Sequence, residues 1–170
     1  ADVLQARGEL DEALRIRRAE ELPVYERLGD VRSQAVTQGK IADVLQDRGE
    51  LDEALRIRRE EELPVYERLG DVRGKAVTQG KIADVLQARG ELDEALRIRR
   101  AEELPVYERL GATHDILICR WWIATYLLQQ NAPGDREEAA ELLRRAHAAA
   151  EKMGIPEADQ IRRIQVREGF

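Results

Sequence analysis

Apolar residues along most of this chain recur three and four positions apart, the spacing that lines one face of an α-helix. Between Asp71 and Arg89, Val72, Ala76, Ala83 and Leu86 fall near one stripe, with Ile82 beside it. Gly90-Glu91-Leu92 breaks that run, and Asp93 and Glu94 then place negative charge in the first turn of the next helix, where the dipole favours it. The helix before it is predicted from about Asp52 to Leu69, with apolar positions Leu51, Ala54, Leu55, Ile57, Leu63, Val65, Tyr66 and Leu69. Gly70 stops it and Asp71 is a ready N-cap for its successor. No stretch alternates with the period of a strand, so the pattern predicts an all-α chain of helical hairpins.

The pattern is also a repeat. Aligned at an offset of 41 residues, Ala1 onto Ala42, the first two copies differ only at Ala6/Asp47, Ala19/Glu60, Ser33/Gly74 and Gln34/Lys75. A third copy, Ala83 to Gly111, departs from the second only at Ala88 and Ala101. Self-similarity at this period marks a stacked array in which each unit buries its apolar face against the next. The chain therefore divides into near-identical repeats over 1–111, a divergent repeat over 112–154 and a closing helix within 155–170. Ala1 corresponds to the middle of a unit, so the first repeat reads as truncated and its exposed face as a possible place for end-to-end self-association; otherwise a monomer is expected. In the divergent repeat, Ile123-Ala124 and Leu127 fall where Ile82-Ala83 and Leu86 do. Asp135, with Glu138 three residues on, predicts a capping box opening a helix to about Met153, and Gly154-Ile155-Pro156 ends it.

Two features of the second helix break the simple pattern. Pro23, Pro64 and Pro105 lie inside it. An interior proline removes a backbone bond and clashes one turn back, a cost of about 3 kcal/mol if nothing adapts. Recurring in every copy, it predicts a bend or bulge of the same geometry within a turn of each proline. The middle of this helix reads Arg58-Arg59-Glu60-Glu61-Glu62, a run of charge. Arg56–Glu60 and Arg58–Glu62 have the spacing to pair along a solvated face. The alternative is a partly shielded network in the seam between helices, with Arg58 meeting Glu61 or Glu62 and joined by Gln79, which would fix registry more surely than it stabilises.

Composition narrows the function without naming it. The net charge of −6 argues against nucleic acid or an anionic membrane as the main partner, since both ask for a basic face. The single cysteine, Cys119, has no internal disulfide partner and suits a reducing, cytoplasmic setting; no long apolar run indicates a membrane. All the basic residues except Lys40, Lys75, Lys81 and Lys152 are arginines, whose planar fork fits carboxylates. His114 and His147 stand alone and read as solvated surface residues. There is no zinc spacing, no glycine-rich phosphate loop and no histidine that spacing would set beside Cys119, so no enzyme activity, metal or cofactor is expected. Trp121 and Trp122 point in different directions on a helix, which predicts one ring in the core and one covering the array's end.

Ile82-Ala83, Leu86, the Gly90-Glu91-Leu92 turn and Asp93-Glu94-Ala95-Leu96 resemble the helix–turn–helix pattern of the tetratricopeptide repeats (TPR). The long unit and its Leu69-Gly70-Asp71 ending are similar to the extended variety in bacterial signalling ATPases and kinesin light chains. The resemblance implies a right-handed α-solenoid, with Ala83 and Ala95 where paired helices cross, and a protein-interaction scaffold within a signalling protein. It also implies a ligand on the concave face, lined by first helices: Val36, Gly39, Asp43, Gln46 and Asp47, then Val77, Gly80, Asp84, Gln87 and Ala88, then Ile118, Trp121, Thr125 and Leu128. That set contains no lysine or arginine, so the expected partner is a protein or peptide segment that is basic or amide-rich. The alternative is a passive spacer or sensor arm of a multidomain ATPase or protease, with no ligand of its own. Two departures from the family stand out: Gln38 and Gln79 early in the first helix where it has a large apolar residue, and the charged stretch in the second.

Overall fold

The computed structural model describes residues 1–170, and every regular element is helical. The chain forms two compact units, Ala1–Gly90 and Glu91–Phe170. The first contains α1 (Asp2–Ala6), α2 (10–28), α3 (Val31–Asp47), α4 (51–68) and α5 (Val72–Ala88). The second contains α6 (92–110), α7 (Thr113–Gln130), α8 (Asp135–Met153) and α9 (Glu157–Glu168). No helix is long and apolar enough to cross a membrane.

The long second helices, α2, α4 and α6, are each three segments run together. In α4, Leu51–Ile57 is followed by a π-helical turn, Arg58–Glu62, and then by Leu63–Arg68. The same turn occupies Arg17–Glu21 in α2 and Arg99–Glu103 in α6. Its cause is the proline two residues beyond. Pro64 has no N–H to donate, and its ring would clash with the Glu60 carbonyl four residues back. Widening the helix by one residue lets the Leu63 N–H donate to the Arg58 carbonyl five residues back. Leu22 to Arg17 and Leu104 to Arg99 repeat the bond. The bulge expected from sequence is present at the same place in all three copies.

Caps follow the repeat as well. Asp30 and Asp71 accept from the N–H groups of Ser33 (3.0 Å) and Gly74 (2.8 Å), starting α3 and α5. The preceding turns need a left-handed residue, supplied by Gly29 (φ 66°) and Gly70 (φ 63°). The capping box expected at Asp135 does not form. Gly134 takes the N-cap position, and the Asp135 carboxylate turns back to accept from the Ala132 N–H (2.9 Å), closing the loop that enters α8.

Within the first unit α3 packs on α4, and Ala42, Val44, Leu45, Ala54, Leu55 and Ile57 are buried. In the second, α7 packs along α8 and α9 closes on α8, burying Leu117, Ile123, Leu127, Leu143 and Ile161. The periodic apolar positions of the sequence form these cores, but Val72 and Leu69, counted among them, are exposed at the turn.

Candidate functional site

The exposed face of the first helices was expected to carry the ligand, and in the first unit it is built from α3 and α5. Residues four and three apart, Val36, Lys40, Asp43 and Asp47, fall on one stripe, repeated by Val77, Lys81, Asp84 and Ala88. Val36 and Val77 are 41% and 43% exposed. Asp47 and Ala88 are exposed as well, while Asp43, Gln46, Asp84 and Gln87 are half-buried.

Gly39 and Gly80, expected on this exposed face, are buried instead. A Cβ on Gly39 would lie 2.6 Å from the Glu62 Oε1, so the missing side chain is the space in which that carboxylate sits. The stripe residue is the lysine one position on. Lys81 reaches the Asp43 Oδ1 (3.1 Å) and Lys40 the Asp2 Oδ2 (3.1 Å), the same pair one repeat apart. Periodicity centred one residue later would have found both lysines.

Asp43 is doubly engaged, because its Oδ1 also accepts from the Arg58 Nη2 (2.6 Å). Arg58 is 1% exposed and donates through Nη1 to the Glu62 Oε2 (2.9 Å), whose other oxygen accepts from the Thr78 hydroxyl of α5 (3.1 Å). Arg58 thus joins the bulge of α4 to α3 through Asp43, and Glu62 joins it to α5 through Thr78. This is the shielded seam expected from sequence, with Glu62 as the partner. Glu61 instead pairs with Arg56 at the surface (2.8 Å). Gln79 is buried beside this chemistry in the same helix as Thr78. Arg17 repeats the arrangement in part: it is buried and donates to Asp2 (2.5 Å), with Nε and Nη1 left unpartnered.

Burial, acting against the Arg58 charge and the Thr78 bond, raises Glu62 above the usual carboxylate range. A raised folded-state value means that this site contributes stability fully below the unfolded value, lost as pH climbs through the folded one. Glu62→Gln removes that titration. We expect the stability of the wild type relative to Glu62→Gln to increase as pH falls from 7 towards 5, measured by urea denaturation at each pH. A constant difference would show that Glu62 keeps the same affinity for protons folded and unfolded.

The second unit carries a variant of the seam. Arg99, 2% exposed, donates to the Glu103 Oε2 (2.6 Å) and the Tyr126 hydroxyl (3.2 Å), and its guanidinium lies over the rings of Trp122 (5.6 Å) and Tyr126 (5.2 Å). Cys119 stands where Thr78 does and donates to Glu103 at 3.4 Å. Burial, with Glu103 nearby, pushes this thiol well above its ordinary value, so it stays protonated as a hydrogen-bonding core residue. Neither tryptophan is in the core: Trp121 is half-buried, Trp122 is 41% exposed, and the rings stack at 6.4 Å. They occupy the positions of Gly80 and Lys81, at the edge of the first-helix stripe, and the buried aromatic of this helix is Tyr126. Ile118, Trp121, Thr125 and Leu128 are all half-buried. Thr125 and Leu128 line a cleft of about 260 Å³ with Ile164, Arg167 and Glu168 of α9. His114 is exposed beside Glu157 (3.5 Å), and His147 is half-buried near Glu151 (3.6 Å).

Among solved structures the chain is similar to the nearly identical TPR-like repeats of a kinesin light chain from Podosopora anserina. The TM-score is 0.56 over 98% of this chain and 92% of that one, at 16% sequence identity. At that identity the likeness establishes the fold: an all-α solenoid of TPR-like helix–turn–helix repeats. No protein-family profile and no curated protein sequence matches.

Proposed function

We propose that the array is a protein-interaction scaffold, part of a larger signalling protein in the cytoplasm, whose first-helix face holds an extended protein or peptide segment. The observation that carries this reading is the repeated stripe itself. Val36 and Val77 remain exposed in identical settings in the two repeats. Two exposed valines in register give an extended segment an apolar contact in each repeat. In the second unit Ile118, Trp121, Thr125 and Leu128 supply larger apolar surface for the same purpose.

The charge of the face changes the expected ligand. Of the basic and amide-rich segments expected, the basic one relied on open carboxylates at Asp43 and Asp84, yet Asp43 is satisfied by Arg58 and Lys81. The seam makes an amide-rich segment with small apolar residues the better fit, with Asp47 the acid still exposed in the first unit. Titration with amide-rich, basic and acidic peptides at two salt concentrations tests this. We expect the amide-rich peptide to bind with little salt dependence, and Val36→Asp/Val77→Asp to weaken it about tenfold, the scale of a few lost apolar contacts.

The passive-spacer reading rests on a different observation. Lys40–Asp2 and Lys81–Asp43 spend the charges of the face on joining one repeat to the next. Equal weak binding of all three peptides, untouched by the valine substitutions, would favour the spacer.

A further inference from the structure

Besides Val3 on α1 and the valines of the first-helix stripe, the first unit exposes apolar side chains at its turns. Leu28 (71%) and Val31 flank Gly29, and Leu69 and Val72 (50%) flank Gly70, so each turn carries one exposed leucine and one exposed valine. The turn needs only its left-handed glycine; small polar residues on either side would serve it equally. Immediately before each leucine stands an arginine, Arg27 and Arg68. Arg68 is exposed and makes no ion pair, and Arg27 reaches only the Pro23 carbonyl of its own helix (3.2 Å).

The neighbouring acids are mostly engaged. Asp30 caps α3 through Ser33, Asp71 caps α5 and binds Arg32 (2.6 Å), and Glu67 pairs with Lys75 (2.7 Å), leaving Glu26. The Arg32–Asp71 bridge ties the start of α3 to the next turn, and both residues line a cleft of about 290 Å³ with Tyr66, Gly74 and Val77. Gly74 holds that cleft open: a Cβ there would lie 2.6 Å from the Tyr66 ring.

We propose that this turn edge is a second docking surface, separate from the first-helix face, and that it takes an acidic amphipathic segment of another protein. Leucine-sized side chains would lie on Leu28–Val31 and Leu69–Val72 while carboxylates meet Arg27 and Arg68. Charge complementarity selects this occupant: the chain as a whole is acidic, and the guanidinium groups left without ion pairs stand beside exposed leucines. Two cations on a chain of net charge −6 are too few to hold an anionic bilayer. Two equivalent turns let one segment engage both and gain from their linkage. The second unit presents the same chemistry at its own turn, Arg109 with Leu110.

The test uses the full chain, isotope-labelled, and a synthetic amphipathic helix with leucines at positions three and four apart and glutamates between. A second peptide carries lysines for the glutamates. We expect the acidic peptide to shift amide resonances at 27–32 and 68–74, and the lysine peptide to leave them in place. Arg27→Glu/Arg68→Glu and Leu28→Ser/Leu69→Ser, all at exposed positions, should each weaken binding at least tenfold, while Val36→Asp, at a residue that does not line the cleft, leaves it unchanged. Equal affinity for both peptides, shifts confined to the first-helix stripe, or no binding would overturn the proposal. Loss of amide-rich peptide binding through Val36→Asp alone bears only on the other face, so the two surfaces fail separately.

Discussion

Replacing Arg58 with alanine should destabilise the protein by about 3–5 kcal/mol, the cost of stranding buried charge. Arg58 is enclosed and holds Glu62 at 2.9 Å and Asp43 at 2.6 Å. Without it, Glu62 is a buried carboxylate with only the Thr78 hydroxyl, and Asp43 keeps only Lys81. An exposed pair such as Arg56–Glu53 should lose less than about 1 kcal/mol by the same operation. The size of the effect measures what is left behind and not what the pair contributes. Arg58→Met/Glu62→Leu should therefore recover most of the loss, because an apolar pair of similar volume carries no desolvation cost. Urea denaturation of both variants checks this. A loss below about 1 kcal/mol for Arg58→Ala would place Arg58 in a wet environment and remove the argument for a structural seam.

The same seam explains which features the sequence disclosed. The helices, their turns and the repeat were legible because apolar spacing and the glycine stops agree in three copies and the aspartate caps in two. The bulge was legible because a proline in a helix interior leaves few structural options. Burial of Arg58 and Glu62 was suggested by position: both continue the face that begins at Ala54 and Leu55, where solvated residues would interrupt the core. The face of the first helix was harder to read. Gly39 carries no side chain to signal its direction, and helical periodicity alone places it within a residue of Lys40. Only the Glu62 carboxylate, which comes from another helix 23 positions along the chain, shows that the glycine faces inward. The paired tryptophans failed for a related reason. Position 122 replaces Lys81 of the repeat, so its ring inherits an exposed place that its hydrophobicity does not predict.

Gly39→Ala should destabilise the protein by about 1–2 kcal/mol, although glycine in a helix interior is by itself about 1 kcal/mol worse than alanine. The added methyl would fall 2.6 Å from the Glu62 Oε1, 2.9 Å from its Cδ and 3.1 Å from its Oε2. A free glutamate would swing aside at little cost. Glu62 is held by Arg58 on one oxygen and Thr78 on the other, so moving it sacrifices charge-assisted bonds in a dry setting. The clash is therefore paid through the network, and its cost should depend on Glu62 being present. In a Glu62→Ala background the carboxylate is gone, the methyl enters open space, and Gly39→Ala should become neutral or stabilising by up to about 1 kcal/mol. The coupling between the two positions, read from a double-mutant cycle of denaturant midpoints, should thus exceed about 1 kcal/mol. Additive effects would mean that α3 tolerates a side chain at this position, and the mid-helix glycine would then need a reason other than the approach of Glu62.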